Sequence, residues 1–127
     1  MTVEAGAAAS LDHVVGDADT AISVGSGDVE VLGTPVLVAW CEAATVAAVA
    51  PLIEPDQTTV GSVVHLEHLR PTPVGGAVTT KAVVTEVDGR QLTFDVTATD
   101  DDGVIASGRI VRVAVNRPRF IERLGLT

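Results

Sequence analysis

Thr34, Glu42 and His68 are the residues whose types and spacing could do chemistry in this chain. Glu42 is the only group charged at neutral pH in the stretch GTPVLVAWCEAATVAAVAPLI, from Gly33 to Ile53. A carboxylate buried without a partner is costly, so such a group shifts its pKa, finds a partner or reacts. Trp40, Cys41, Ala43 and Ala44 give Glu42 no polar stripe, so the sequence expects a buried, locally unpaired carboxylate. Its structural alternative is to cap a neighbouring element or face an interface. Thr34 stands beside Pro35 at a helix start, where its hydroxyl is expected to cap the helix. The same helix terminus would offer free N–H groups and positive dipole to a developing oxyanion. His68 is the next-to-last residue of the segment GSVVHLEHL and shares a strand face with Val64 and Leu66. There it is either a satisfied core histidine or a general acid–base group.

Other reactive types fit bland roles. Cys41 points about 100° away from Glu42 on a helix and reads as an inert buried thiol. His65 and His68 have odd spacing, so on a strand their rings diverge and share no ion. With Cys41 and His13 elsewhere, no metal site is expected. GSGD and TPVGG match no phosphate-binding loop and read as turns.

The elements that must position these groups follow from the periodicity. Residues 1–10 are small and mostly uncharged and are expected to fray, and His13 to Gly33 reads as one strand and a loop. A helix is expected from Thr34 to about Ala50, stopped by Pro51. The period then becomes two. Strands are expected over Thr58–Leu69, Ala77–Val87, Gln91–Thr99 and Val104–Val115, with turns at RPTPVGG, Asp88-Gly89 and Asp100–Gly103. Leu92, Phe94, Val96 and Ala98 alternate with polar residues, so one face of that sheet is wet. The result is an α+β domain spanning 1–127: one long central helix wrapped by a curved antiparallel sheet of about five strands, the hotdog arrangement.

Composition sets limits on function. The 127 residues are 46% hydrophobic and only 2% aromatic, so Val, Ala, Leu and Ile must fill the core. Net charge is −9, no Lys or Arg precedes Arg70, and stacking aromatics are scarce, which argues against nucleic acid. The run Val36–Ala50 contains Glu42 and is short for a bilayer, and no signal peptide is evident, so no membrane partner is expected. A single cysteine fits a reducing, cytoplasmic setting. Arg117, Arg119 and Arg123 form the densest basic group, either a solvated tail or a receptor for a small anion.

The pattern Gly33-Thr34-x7-Glu42, Gly61-x6-His68, Thr72-Pro73-x-Gly75 and Glu86-Val87-Asp88-Gly89-Arg90 resembles the fluoroacetyl-CoA thioesterase-like family of hotdog proteins. The resemblance runs from about His13 to Val115. It implies a homodimer with sites at the subunit boundary, a catalytic set of Thr34, Glu42 and His68, and substrate-side roles for Gly61 and Arg112. The implied activity is hydrolysis of a small acyl-CoA thioester without a cofactor, coenzyme A being part of the substrate. Glu42 would act either as nucleophile or as base. The family's founding enzyme has an aromatic gate shortly before its catalytic Thr. Here that stretch is Asp28-Val29-Glu30-Val31-Leu32, so a different acyl group is expected. The alternative is a non-catalytic acyl-CoA or small-ligand binding module on the same fold.

Overall fold

The computed structural model describes residues 1–125. Strand β1 (Ala8–Val14) is followed by a short helix α1 (Ala21–Val24) and the long helix α2 (Thr34–Val49). Strands β2 (Gln57–His68), β3 (Ala77–Asp88), β4 (Gln91–Asp100) and β5 (Gly103–Asn116) come next, and helix α3 (Arg117–Arg123) follows β5. The strands form one antiparallel sheet in the order β1-β3-β4-β5-β2, leaving β1 and β2 at its edges. This is the expected hotdog arrangement.

Helix α2 lies on the sheet because one face of it is apolar and small. Leu37, Cys41, Ala44, Thr45, Ala48 and Val49 are buried against the sheet. From the sheet side, Leu92, Phe94, Val96 and Ala98 of β4 meet them fully buried, as the alternation requires. Truncating the largest, Phe94→Ala, should cost about 3–5 kcal/mol through lost transfer energy and a cavity. By length and composition alone, Thr34–Leu52 would suffice to cross a membrane. Its buried stripe instead marks it as the core helix of this fold.

Two expectations at the N-terminal end are corrected. The first strand is Ala8–Val14, starting inside the segment expected to fray, and His13 to Gly33 is mostly irregular. Ala8 and Ala9 carry little strand propensity, and it is pairing with β3 that orders them. Thr2 N also donates to Leu52 O at 2.9 Å, and Val3 is buried. The C-terminal segment likewise forms a helix: Asn116 Oδ1 accepts from Arg119 N at 3.0 Å and Pro118 occupies the first turn.

Candidate active site

Helix α2 begins at Gly33, which has extended backbone angles and makes no side-chain cap. Thr34 is therefore the first helical residue rather than its cap, a correction to the sequence reading. Its hydroxyl is free for another partner, and Oγ1 lies 2.8 Å from His68 Nδ1. His68, the last residue of β2, is half-buried with its ring turned toward the start of α2. Burial lowers its pKa from the usual histidine value, and the neighbouring backbone of Arg70 offsets this in part. Its other ring nitrogen, Nε2, is shielded from solvent and has no hydrogen-bond partner among the described residues. Buried polar atoms are rarely left so in a complete site. A cavity of about 280 Å³ opens beside this pair, lined by Ala21, Val31, Leu32, Leu69 and Pro71 as well as Thr34 and His68.

Glu42 does not stand alone. Its carboxylate is 35% exposed, and Oε2 accepts from Arg112 Nη1 at 3.1 Å. The expectation of a buried carboxylate with no local partner gives way to a part-exposed one, paired because β5 delivers an arginine from 70 residues away, which no local pattern could show. Arg112 is itself only 7% exposed. Its Nε donates to Thr59 Oγ1 at 2.8 Å and its Nη2 to Thr59 O at 2.9 Å. Burial lowers the Arg112 pKa, and the Glu42 carboxylate opposes that, so the guanidinium stays charged. Thr59 was not singled out from sequence; a threonine in a strand reads as an ordinary β-former.

Gly61 belongs to the same cluster. It pairs with Arg112 across the β2–β5 ladder, and the register slips at Ser62 in a β-bulge. A Cβ at Gly61 would stand 2.8 Å from Glu42 Oε2 and 3.5 Å from Arg112 Nη1. The glycine thus leaves room for the carboxylate, and bulges of this kind commonly re-aim groups at functional sites.

Within one chain the residues form two separate groups. Thr34 and His68 touch. Glu42, Arg112, Thr59 and Gly61 make a second group. From Gly61 to His68 is seven residues along β2, about 23 Å. Thr34 and Glu42 are about 12 Å apart along the helix. Burial raises the pKa of Cys41, which lies in the core, to about 11, so it is the inert thiol expected.

Comparison with known proteins agrees with the fold. Over 91 residues the chain is 35% identical to the fluoroacetyl-CoA thioesterase of Streptantibioticus cattleyicolor, a match covering 72% of this chain and 66% of that protein. The solved structure of the fluoroacetyl-CoA thioesterase FlK superposes with a TM-score of 0.91 at 29% identity, over 97% of this chain and 96% of that one. A hot-dog-like protein from Thermanaerovibrio acidaminovorans shares the fold at a TM-score of 0.87 and 21% identity, over 95% and 90% of the two chains. The sequence profile of the fluoroacetyl-CoA-specific thioesterases matches residues 15–118, and the chain belongs to that family of thioester hydrolases.

Proposed function

We propose that this protein hydrolyses the thioester of a small acyl-CoA, in sites shared by two copies of the chain. The carrying observation is the Thr34–His68 pair, whose outer nitrogen Nε2 is buried, partnerless and beside a cavity. Such a nitrogen awaits a carboxylate or a substrate. Glu42 of the same chain is too far along the sheet to serve. Strand β2 is an edge, with Val63 and Val64 exposed at its middle, a surface suited to pairing with a second β2. Antiparallel pairing with Gly61 of one copy opposite His68 of the other would bring the Glu42 that lies beside that Gly61 to the His68 nitrogen of the other copy. The homodimer is thereby part of the proposal, in a cytoplasmic setting consistent with a single free thiol.

In this reading the cavity holds the acyl group, and the free N–H groups at the start of α2 meet the thioester oxygen as it gains charge. The Thr34 hydroxyl holds the imidazole of His68 in one orientation. Glu42 either attacks the carbonyl carbon, giving an anhydride that water opens, or draws a proton from attacking water. In both routes the carbon–sulfur bond breaks and the thiolate leaves, and the proton given up by the attacking water reaches that thiolate through the initially neutral His68, base first and acid second. Val31, Leu32, Leu69 and Pro71 line the cavity without an aromatic, which supports a small acyl group and gives no special handle for fluorine.

The test is thiol release from a panel of acyl-CoAs by wild type, Glu42→Ala and His68→Ala. We expect hydrolysis of a short acyl-CoA, reduced at least about 100-fold by either substitution. Tight acyl-CoA binding with no thiol release from any substrate would overturn hydrolysis in favour of a binding module.

A further inference from the structure

Three of the eight basic residues converge where α3 meets the β3–β4 hairpin. Arg90, at the tip of that hairpin, and Arg119 and Arg123, one turn apart on α3, line a cleft of about 110 Å³ with Asn116 and Phe120. The hairpin tip is fixed there because Ala114 N donates to Arg90 O at 2.8 Å. Helix α3 is fixed by the Asn116 cap and by Arg117 N donating to Asp56 O at 2.8 Å. None of the three guanidiniums has a carboxylate partner within 4.0 Å among the described residues, although acidic residues outnumber basic ones by 17 to 8. Lys81, Arg109 and Arg117 are likewise without one among the described residues, so what sets these three apart is their convergence on one cleft. Phe120, one of the two phenylalanines, is half-buried at the same cleft. An aromatic face beside three planar, bidentate donors suits a base carrying phosphate.

We infer that the Arg90–Arg119–Arg123 cleft binds a phosphorylated adenosine, the nucleotide end of a coenzyme A thioester. The inference rests on the proposed thioesterase reading, whose dimer places the cleft usefully. With Gly61 of one copy opposite His68 of the other, the same register sets Gln57 of the first level with Thr72 of the second. Gln57 pairs with Asn116 in its own chain, so α3 of one copy stands at the mouth of the other copy's Thr34–His68 cavity. The separation from His68 along the strand direction is four residues, about 13 Å. The flexible pantetheine arm spans that gap, with the thioester at His68 and the nucleotide on α3. Each site then takes its acyl pocket from one copy and both Glu42 and the phosphate grip from the other.

Isothermal titration of the full chain with coenzyme A, dephospho-coenzyme A, adenosine 3′,5′-bisphosphate and inorganic phosphate tests this. We expect Arg119→Ala/Arg123→Ala to weaken coenzyme A and the bisphosphate by at least about tenfold, because charge-assisted hydrogen bonds to phosphate are lost. Phe120→Ala should weaken the bisphosphate by about tenfold through lost stacking. Arg90→Glu, at an exposed hairpin tip, should act in the same direction and checks that the effect is not confined to α3. Coenzyme A affinity within about twofold of wild type in both arginine variants would overturn the inference. So would inorganic phosphate competing as strongly as the bisphosphate. The two readings fail separately: thiol release from an N-acetylcysteamine thioester, which lacks the nucleotide, reports on hydrolysis alone. Arginine-dependent coenzyme A binding without any thiol release would support the cleft and sink hydrolysis.

Discussion

Gly61 faces Glu42 so closely that a single added carbon on the glycine would sit 2.8 Å from the carboxylate oxygen Oε2. The atom that would be displaced is the end of a side chain held by Arg112, so it is the carboxylate that must move. Gly61→Ala should lower kcat by about 10- to 100-fold, since displacements near 1 Å at a reacting group cost about that much. Steady-state thiol release checks the rate, and an unchanged far-ultraviolet circular dichroism spectrum separates misplacement from unfolding.

Thr59 holds Arg112 through both its hydroxyl and its carbonyl, and Arg112 in turn holds Glu42. Thr59→Val keeps the shape but leaves the buried Nε–H without an acceptor. We expect a loss of about 1–3 kcal/mol in urea unfolding. Thr59→Ser should restore most of it. If Val and Ser behave alike, the hydroxyl contact is not stabilising.

His68 is desolvated, and its pKa lies below the ordinary histidine value. The neutral ring is therefore favoured in the folded state, so near pH 6.5 the folded protein binds fewer protons than the unfolded chain. The associated stability is complete above about pH 6.5 and falls as the pH drops through that value toward the folded pKa. If the neutral imidazole is needed for substrate attack, the acid limb of kcat/KM should have its midpoint below about 6.5. NMR titration of the ring protons gives the pKa directly, and a midpoint at or above 6.5 would contradict the desolvated geometry.

Trp40 offers an internal reporter of a second histidine. The His13 and Trp40 rings are stacked, with centroids 4.3 Å apart and planes 3° from parallel. Desolvation lowers the His13 pKa, opposed by Asp12 and Asp19. Protonation places a cation on the indole face, which should quench the fluorescence of the chain's one tryptophan. We expect a fluorescence titration with its midpoint below about 6.5, abolished in His13→Ala. A pH-independent signal in wild type would mean that the stack does not persist in solution.

The sequence by itself determined the helix, the four strands after it and the identity of the family. Each of these is written locally: apolar spacing in Val36–Val49, alternation in Leu92–Ala98, and turn chemistry at Asp88-Gly89 all act within a few residues. It also brought forward Thr34, Glu42 and His68 as residue types in telling positions. It could not see that Ala8–Val14 is a strand, because that segment is ordered by its partner β3 and not by its own propensity. Nor could it see what Glu42 touches. Arg112 and Thr59 reach that carboxylate through ladder register and a bulge at Ser62, relations set by strands far apart in the chain. Tertiary structure also moved Thr34 from a capping role to His68 and separated that pair from Glu42 along β2. Local patterns fix which elements form, because backbone preference and hydrophobic period are short-range. Which side chains meet is decided only when the elements pack.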